Sequence, residues 1–302
     1  MAISRGQLVK ELEPGLNALF GLEYKRYENQ HAEIYTTESS DRAFEEEVML
    51  SGFAQAQVKP EGSGVVFDNA QETFTARYTH ETVALAFAIT EEAIEDNLYD
   101  RLASRYTKAL ARSMANTKQI KAASLLINGL PGGTFKSGDG VTLFNTAHPT
   151  VAGTVKNTLT VAADLNETSL EQSLIDINAF TDERGLKVAA RGVKMIVPSE
   201  LQFTAERLMK SQGRTGTADN DLNAINSMGM IPQGYRINNF LTDTDAFYII
   251  TDVPNGMKYF ERSPIKTAME GDFDTGNVRY KARERYSFGV SDFRGIFASP
   301  GA

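Results

Sequence analysis

Residues 53–128 read FAQAQVKPEGSGVVFDNAQETFTARYTHETVALAFAITEEAIEDNLYDRLASRYTKALARSMANTKQIKAASLLIN, and this stretch decides the fold. A long extended hairpin is predicted from Gly52 to Ile89. Lys59, Pro60, Glu61, Gly62, Ser63 and Gly64 supply the turn chemistry of its tip. Val66 and Asp68, then Phe74, Ala76 and Tyr78, alternate with the period of a strand. One helix is predicted to follow, from about Thr90 to Asn128, roughly 58 Å long at ~1.5 Å per residue. Ordinary helices average about 11–12 residues. A chain that extends this far without a compact core of its own completes its burial on neighbouring copies. An assembly subunit is therefore expected before an enzyme.

Thr90 suits the N-cap of that helix, and Glu91, Glu92 and Glu95 suit its positive end. Ala93 leaves a capping box incomplete. Ile94, Leu98, Leu102, Tyr106, Leu110 and Met114 are spaced by four, so the stripe drifts by roughly 40° per step and is expected to meet several partners. Asn128-Gly129 and Pro131-Gly132-Gly133 end the helix.

Composition narrows the function classes. The chain has 302 residues, enough for about two domains, with 41% hydrophobic and 23% charged residues. It has no cysteine, which excludes disulfides, thiol catalysis and Cys-ligated metals. No apolar run reaches the ~20 residues of a membrane span. The N-terminus MAISRGQLVKELEPG lacks the apolar segment of a signal peptide, so synthesis in the cytoplasm is expected. The net charge of −8 disfavours sequence-independent gripping of nucleic acid by the surface as a whole.

Outside the central stretch, residues 1–50 are predicted to be short draped pieces, because Pro14-Gly15 interrupts any helix. Further helices are predicted over about 168–180 and 201–209, with a strand at Val193–Val197 between them. Residues 211–230 are polar and without period. From Tyr235 onward the pattern is mostly β.

No constellation carries a reaction. His31, His80 and His148 lie far apart, and no H-E-x-x-H occurs. In Asn145-Thr146-Ala147-His148-Pro149, Asn and Pro are expected to make a turn and His to satisfy its bonds locally. Glu61-Gly62-Ser63-Gly64 lies at a hairpin tip, the wrong context for a nucleophile elbow. Phosphate-binding glycine loops are missing. Glu45-Glu46-Glu47 is expected to be a solvated helix face rather than a cation site. Asp219, Asn220 and Asp221 make only half a calcium loop. Arg279, Lys281, Arg283 and Arg285 alternate as the exposed face of a half-buried strand, or as a source of interfacial ion pairs or a nucleic-acid stripe. No catalytic, cofactor-binding or metal-binding residue is assigned, and no enzyme activity or cofactor is expected.

Several tracts resemble tailed-bacteriophage major capsid proteins. They are Met195–Leu201, the helix Thr204–Leu208, TADNDLNAINSMGM (217–230), FLTDTDAFYIITDVPNGMKYFER (240–262), MEGDFDTGNVRYKARERYSFGVSDFRGIF (269–297) and LFNTAHP (143–149). They look like the Mu-like major head subunit branch. The resemblance covers nearly the whole chain, and the order of the tracts carries it. It implies an α+β protein of the Hong Kong ninety-seven phage capsid fold, whose N-terminal arm and extended loop reach neighbouring subunits. The implied parts are an arm at 1–51, an extended loop at 52–89, and a spine helix with following strands of the peripheral domain at 90–165. An axial domain at 166–245 and a return to the peripheral sheet at 246–302 complete the chain.

The function implied is an icosahedral head shell of pentamers and hexamers in the virion, enclosing double-stranded DNA held by proximity only. A portal and a decoration protein are implied partners; because no long scaffolding segment precedes the arm, the resemblance implies either a separate scaffolding protein or a chain in its mature form, and no membrane is involved. Lys59 lies near the loop tip, but no partner Asn or catalytic Glu matches, so no isopeptide cross-link is expected. The alternatives are an encapsulin-type compartment, which would show an inward cargo pocket, and a soluble α+β hydrolase, which would show a deep pocket with convergent polar groups. If the spine stripe is buried, Leu102→Asp is expected to place an unpaired carboxylate against the sheet and lower the melting temperature sharply.

Overall fold

Two four-stranded sheets and one long helix that contributes to the core beneath each of them organise the chain. The structure, a computed structural model, describes residues 5–90, 92, 99–214, 221–272 and 276–302, excepting the side chains of 5–13 and 99–102.

The chain starts with α1 (Arg5–Arg26), which contains Pro14. The break expected at Pro14-Gly15 is therefore corrected. Pro14 lacks the N–H that would close one turn, but both residues are exposed. The following turns are held by burial of Leu16 and Phe20 against Leu110, Met114 and Tyr280. Asn17 Oδ1 also accepts hydrogen bonds from Thr267 Oγ1 (2.7 Å) and Tyr280 OH (2.9 Å). Residues 16–24 thus pack on their own subunit.

Next come β1 (Thr36–Ser39), β2 (Phe44–Leu50), β3 (Glu72–Thr79) and β4 (Glu81–Ile89). The predicted hairpin over 52–89 differs from what forms. β2 pairs with β3, from Phe44↔Thr79 to Leu50↔Glu72, and residues 51–71 between them have no regular strand. Val66 and Asp68 lie in this irregular part, whereas Ala76 and Tyr78 are buried in β3. β4 leaves the ribbon after His80 and joins another sheet. Glu45-Glu46-Glu47 lies in β2, not on a helix.

The long helix α2 is described over Tyr99–Asn128, about 45 Å at ~1.5 Å per residue. It ends at the expected place. Leu110 and Met114 are buried, but Tyr106 is 49% exposed. The buried stripe instead runs through Ala103, Thr107, Leu110, Met114, Lys118 and Ala122. Steps of four and three keep it on one side of the helix. Ile94, Leu98, Ala93 and the side chain of Leu102 lie outside the described residues.

After β5 (His148–Thr150) and β6 (Gly153–Val155), α3 (Glu167–Asn178) begins in a reciprocal cap between Asn166 and Ser169. β7 (Gly192–Val197) and α4 (Gln202–Lys210) match the sequence pattern. The described part of 211–230 contains a short unforeseen helix, α5 (Ala224–Met228), capped by the Asn223 side chain. It is too short to show a hydrophobic period. The remaining strands are β8 (Tyr235–Ile237), β9 (Phe247–Thr251), β10 (Met257–Gly271), β11 (Val278–Val290) and β12 (Ile296–Ser299).

One sheet has the order β1-β10-β11-β4, and the other β12-β9-β7-β8. β9 and β12 therefore lie with β7, so a boundary at 245/246 would cut paired strands apart. The buried run Met195-Ile196-Val197 occupies the middle of the second sheet, as a strand covered on both faces should. α1 and α2 cover one face of the first sheet. Gly289 admits the ribbon against β11: a Cβ there would lie 2.5 Å from the Tyr78 ring.

A buried ion pair joins α1, α2 and β11. Lys118 Nζ donates to Glu284 Oε2 (2.6 Å) and to the Tyr24 hydroxyl (2.7 Å), which in turn donates to Glu284 Oε2 (3.2 Å). Burial pushes the Glu284 carboxyl above the usual range despite Lys118. Lys118→Met should destabilise by about 3–5 kcal/mol, because it leaves a buried carboxylate unpaired. Lys118→Met/Glu284→Leu should recover most of that loss. Denaturant unfolding of both variants measures the difference.

Candidate functional site

The excursion between β2 and β3 is closed at its base. Ser51 N–H donates to Gln71 O (2.9 Å), and Gln71 N–H donates to Ser51 Oγ (3.0 Å). Asp68 accepts from Ala54 N–H (2.7 Å) and from Arg184 Nη2 (3.0 Å), and Arg184 also donates to Asn69 O (2.8 Å). The two backbone N–H bonds received from Ala54 and Asn69 hold the Asp68 carboxyl below the usual range. Beyond these ties the excursion stands exposed. Val58 is 94% and Phe67 93% accessible, and Phe53, Val65 and Val66 are also exposed. Lys59 is exposed at the tip.

The ribbon beneath the excursion is inverted relative to an ordinary surface strand. Glu45 and Glu47 share the inward face with Tyr78 and Ala76, while Phe44, Val48 and Leu50 face outward. Glu47 binds Lys258 and Ser291, and Lys258 also pairs with Glu38 (3.0 Å). The acidic residues thus fasten the ribbon, and apolar side chains face outward. No sequence period announced this, because the strand pattern alone does not say which face meets the core.

The three histidines are not brought together, and no metal-ligand cluster occurs among the described residues. His80 sits between Ser40 Oγ and Ser287 Oγ, each 2.9 Å away. His148 is fully buried and stacked on Phe293 at 3.8 Å. Its Nδ1 meets Asp139 Oδ2 (2.5 Å), and its Nε2 meets Leu143 O (3.1 Å) and Asn157 Oδ1 (2.9 Å). His148 thus bonds to groups five and nine residues away, Asp139 and Asn157 not having been foreseen, and the expected turn is corrected in part, because His148 and Pro149 open β5. Burial raises the Asp139 carboxyl, but bonds from His148 and Ser137 outweigh it, so it titrates below the usual range.

Other singled-out residues are dispersed. Asp219 and Asn220 lie outside the described residues, and Asp221 is exposed. Arg214 bonds Glu167 (2.8 Å) at the start of α3. Arg279, Lys281 and Arg283 are exposed on β11, and Arg285 is half-buried. A groove of about 970 Å³ beside α4 and β8 carries Tyr235 and Lys210. Both are satisfied by Glu206 (2.7 and 2.9 Å) rather than aimed at a ligand.

The arrangement is thus an exposed excursion at the end of a two-stranded ribbon, beside a long helix laid across a sheet, with apolar side chains turned outward. The model of the phage capsid protein family matches residues 72–299, roughly three quarters of the chain. The chain belongs to this phage capsid protein family, and it is a structural protein, not an enzyme. Among solved structures, it is similar to the capsid of Myoviridae phage XM1 at 12% identity, 89% of each chain and a TM-score of 0.55. It is similar to the capsid of the cyanophage P-SCSP1u at 10% identity, 87% of this chain and 85% of that one, with a TM-score of 0.55. The capsid of a native GTA particle matches at 14% identity, 90% of each chain and a TM-score of 0.51. At these identities the likeness is one of fold. No curated protein matches the chain.

His31 gives the subunit a pH dependence of its own. It is buried against Tyr259 and Phe288, with Nδ1 2.9 Å from Gln119 Nε2. Burial, then Lys118, pushes it down to about 4. The unfolded chain, with an ordinary value of about 6.5, takes up this proton first. Stability should therefore be complete above about 6.5 and fall as pH drops towards about 4, by up to about 3 kcal/mol. Thermal melting across that window checks it, and His31→Gln should flatten the slope.

Proposed function

We propose that this chain is the major capsid protein of a tailed bacteriophage, whose copies close into an icosahedral head around double-stranded DNA. The observation that carries this is the outward apolar surface of the ribbon and excursion, on which Val58 and Phe67 are almost fully exposed and Phe44, Val48, Leu50 and Phe53 partly so. An exposed apolar patch of this kind marks an interaction site. Copies of the same chain are the partner that a capsid fold supplies.

In this reading the first sheet with α2 forms the peripheral domain, and the second sheet with α3, α4 and α5 forms the axial domain. The axial part then comprises 166–252 with the returning β12. Gly213 and Gly229 lie near the axis, where pentamer and hexamer spacing both have to be met. Portal, scaffolding and decoration proteins are the partners of this reading, and synthesis takes place in the bacterial host before incorporation into the virion. The Mu-like branch rests on the resemblance of tracts 193–297. An encapsulin-type compartment has weaker support, because the matching family model is that of phage capsids.

Replacing Gln55–Phe67 by two glycines leaves the Ser51–Gln71 closure and the β2–β3 register in place. The variant should stay soluble, melt close to the parent and form no closed shells by electron microscopy. Normal shells from this variant would overturn the intersubunit role of the excursion.

A further inference from the structure

β11 carries Arg279, Lys281, Arg283 and Arg285 at every second position. The residues between them, Tyr280 and Ala282, pack against α1 and α2. The basic side chains therefore lie on the opposite face of the sheet. On the same face, register places Lys266 of β10 beside Arg283. β4 contributes Thr82, Ala84, Ala86 and Ala88 opposite the four bases, all exposed. The result is a row of cations about 20 Å long, at ~3.4 Å per strand residue, flanked by the small side chains of β4.

Acidic groups do not cancel this row. Glu270 lies opposite Arg279, and Asp272 pairs with Arg279. Among the described residues no ion pair engages Lys266, Lys281, Arg283 or Arg285, and the Nε of Arg285 is buried without a hydrogen-bond partner. A chain of net charge −8 thus keeps a strongly positive sheet face. The average charge hid it.

We propose that this face binds the phosphodiester backbone of double-stranded DNA, and that it is the surface turned towards the packaged genome. The second half of the statement rests on the shell reading above. Charge complementarity favours a duplex: about one phosphate per 1.7 Å places roughly twelve along the row. Arginine forks suit phosphate oxygens. A second copy of the chain fits less well, because a protein interface has an apolar centre. The large apolar side chain exposed on β4 is Leu85, whose register with Ala282 places it on the helix side.

The test uses the full-length chain and a short duplex of mixed sequence, with affinity measured by anisotropy across a salt series, and particles counted by electron microscopy in the same preparations. Lys281→Gln/Arg283→Gln should lower the slope of log K against log salt by about 1.8, at ~0.9 per phosphate contact. Arg26→Gln/Arg42→Gln, two exposed cations elsewhere, should leave it unchanged. An unchanged slope in the β11 pair, or an equal drop in the control pair, would overturn the site. Loss of shells with an unchanged slope would overturn it too, and would make the face a contact between copies. If the parent binds duplex through β11 but never forms shells, the shell reading fails and the polyanion site stands.

Discussion

Lys118 and Glu284 fix where three distant stretches of chain meet. A buried ion pair is poor evidence of net stability, because removing both charges from water costs several kcal/mol per ion. Its value here is positional. Lys118 has Tyr24, Tyr259 and Tyr286 around its ammonium at 5.2–5.8 Å, a cage that accepts a cation in one place only. Sliding α2 by one turn would leave both charges unpaired in an aromatic interior. The pair therefore sets the register of α2 on the first sheet. Because the same helix continues into the main core through Ala122, Leu125 and Leu126, it also sets the relation between the two sheets.

The same use of buried polar groups recurs at the other end of α2. Asn157 Nδ2 lies within hydrogen-bond reach of Leu143 O (2.8 Å), Phe293 O (3.1 Å) and Ile296 O (3.3 Å), while its Oδ1 accepts from Asn145 N–H (2.9 Å). His148 and Asp139 complete this hub. Arg294, also buried, reaches Glu183 (2.7 Å), Asp292 (3.2 Å) and Thr181 O (2.7 Å). These side chains hold irregular loops to the strand ends around them. Asp139 and Glu183 also line a cavity of about 310 Å³ beside Gln71 and Phe74, and Glu183 Oε2 is buried there without a hydrogen-bond partner.

Much of the fold was legible because local signals and burial agreed. The end of α2 at Asn128, the strand β7 and the helices α3 and α4 all follow from period and capping. The misreadings share one cause, which is tertiary context. Pro14 sits inside a helix because the turns after it are buried, and packing outweighs one lost hydrogen bond. Glu45-Glu46-Glu47 forms a strand because Lys258 waits more than two hundred residues away. The stripe of α2 follows Ala103 and Thr107 rather than Tyr106, since small residues face the sheet while the Tyr106 ring packs at the edge against Phe87 (5.8 Å). Val66 and Asp68 were read as strand positions, yet residues 52–71 have no partner strand among the described residues. A sequence shows that such a segment can pair, not that a partner is within reach.

Charge and apolarity are sorted in this molecule rather than blended. The excursion and the outer face of β2 concentrate exposed apolar side chains, whereas the far face of the first sheet concentrates cations. The rest of the surface bears the excess of negative charge. A uniform surface of the same composition would have neither a sticky edge nor a polyanion face. Sorting gives one chain two kinds of surface that do not compete: apolar contact is short-ranged and nearly indifferent to salt, while the cationic face acts over about a Debye length and weakens as salt rises. Copies can then be held together by contacts that ionic strength hardly touches, while contacts with a polyanion stay reversible and can slide.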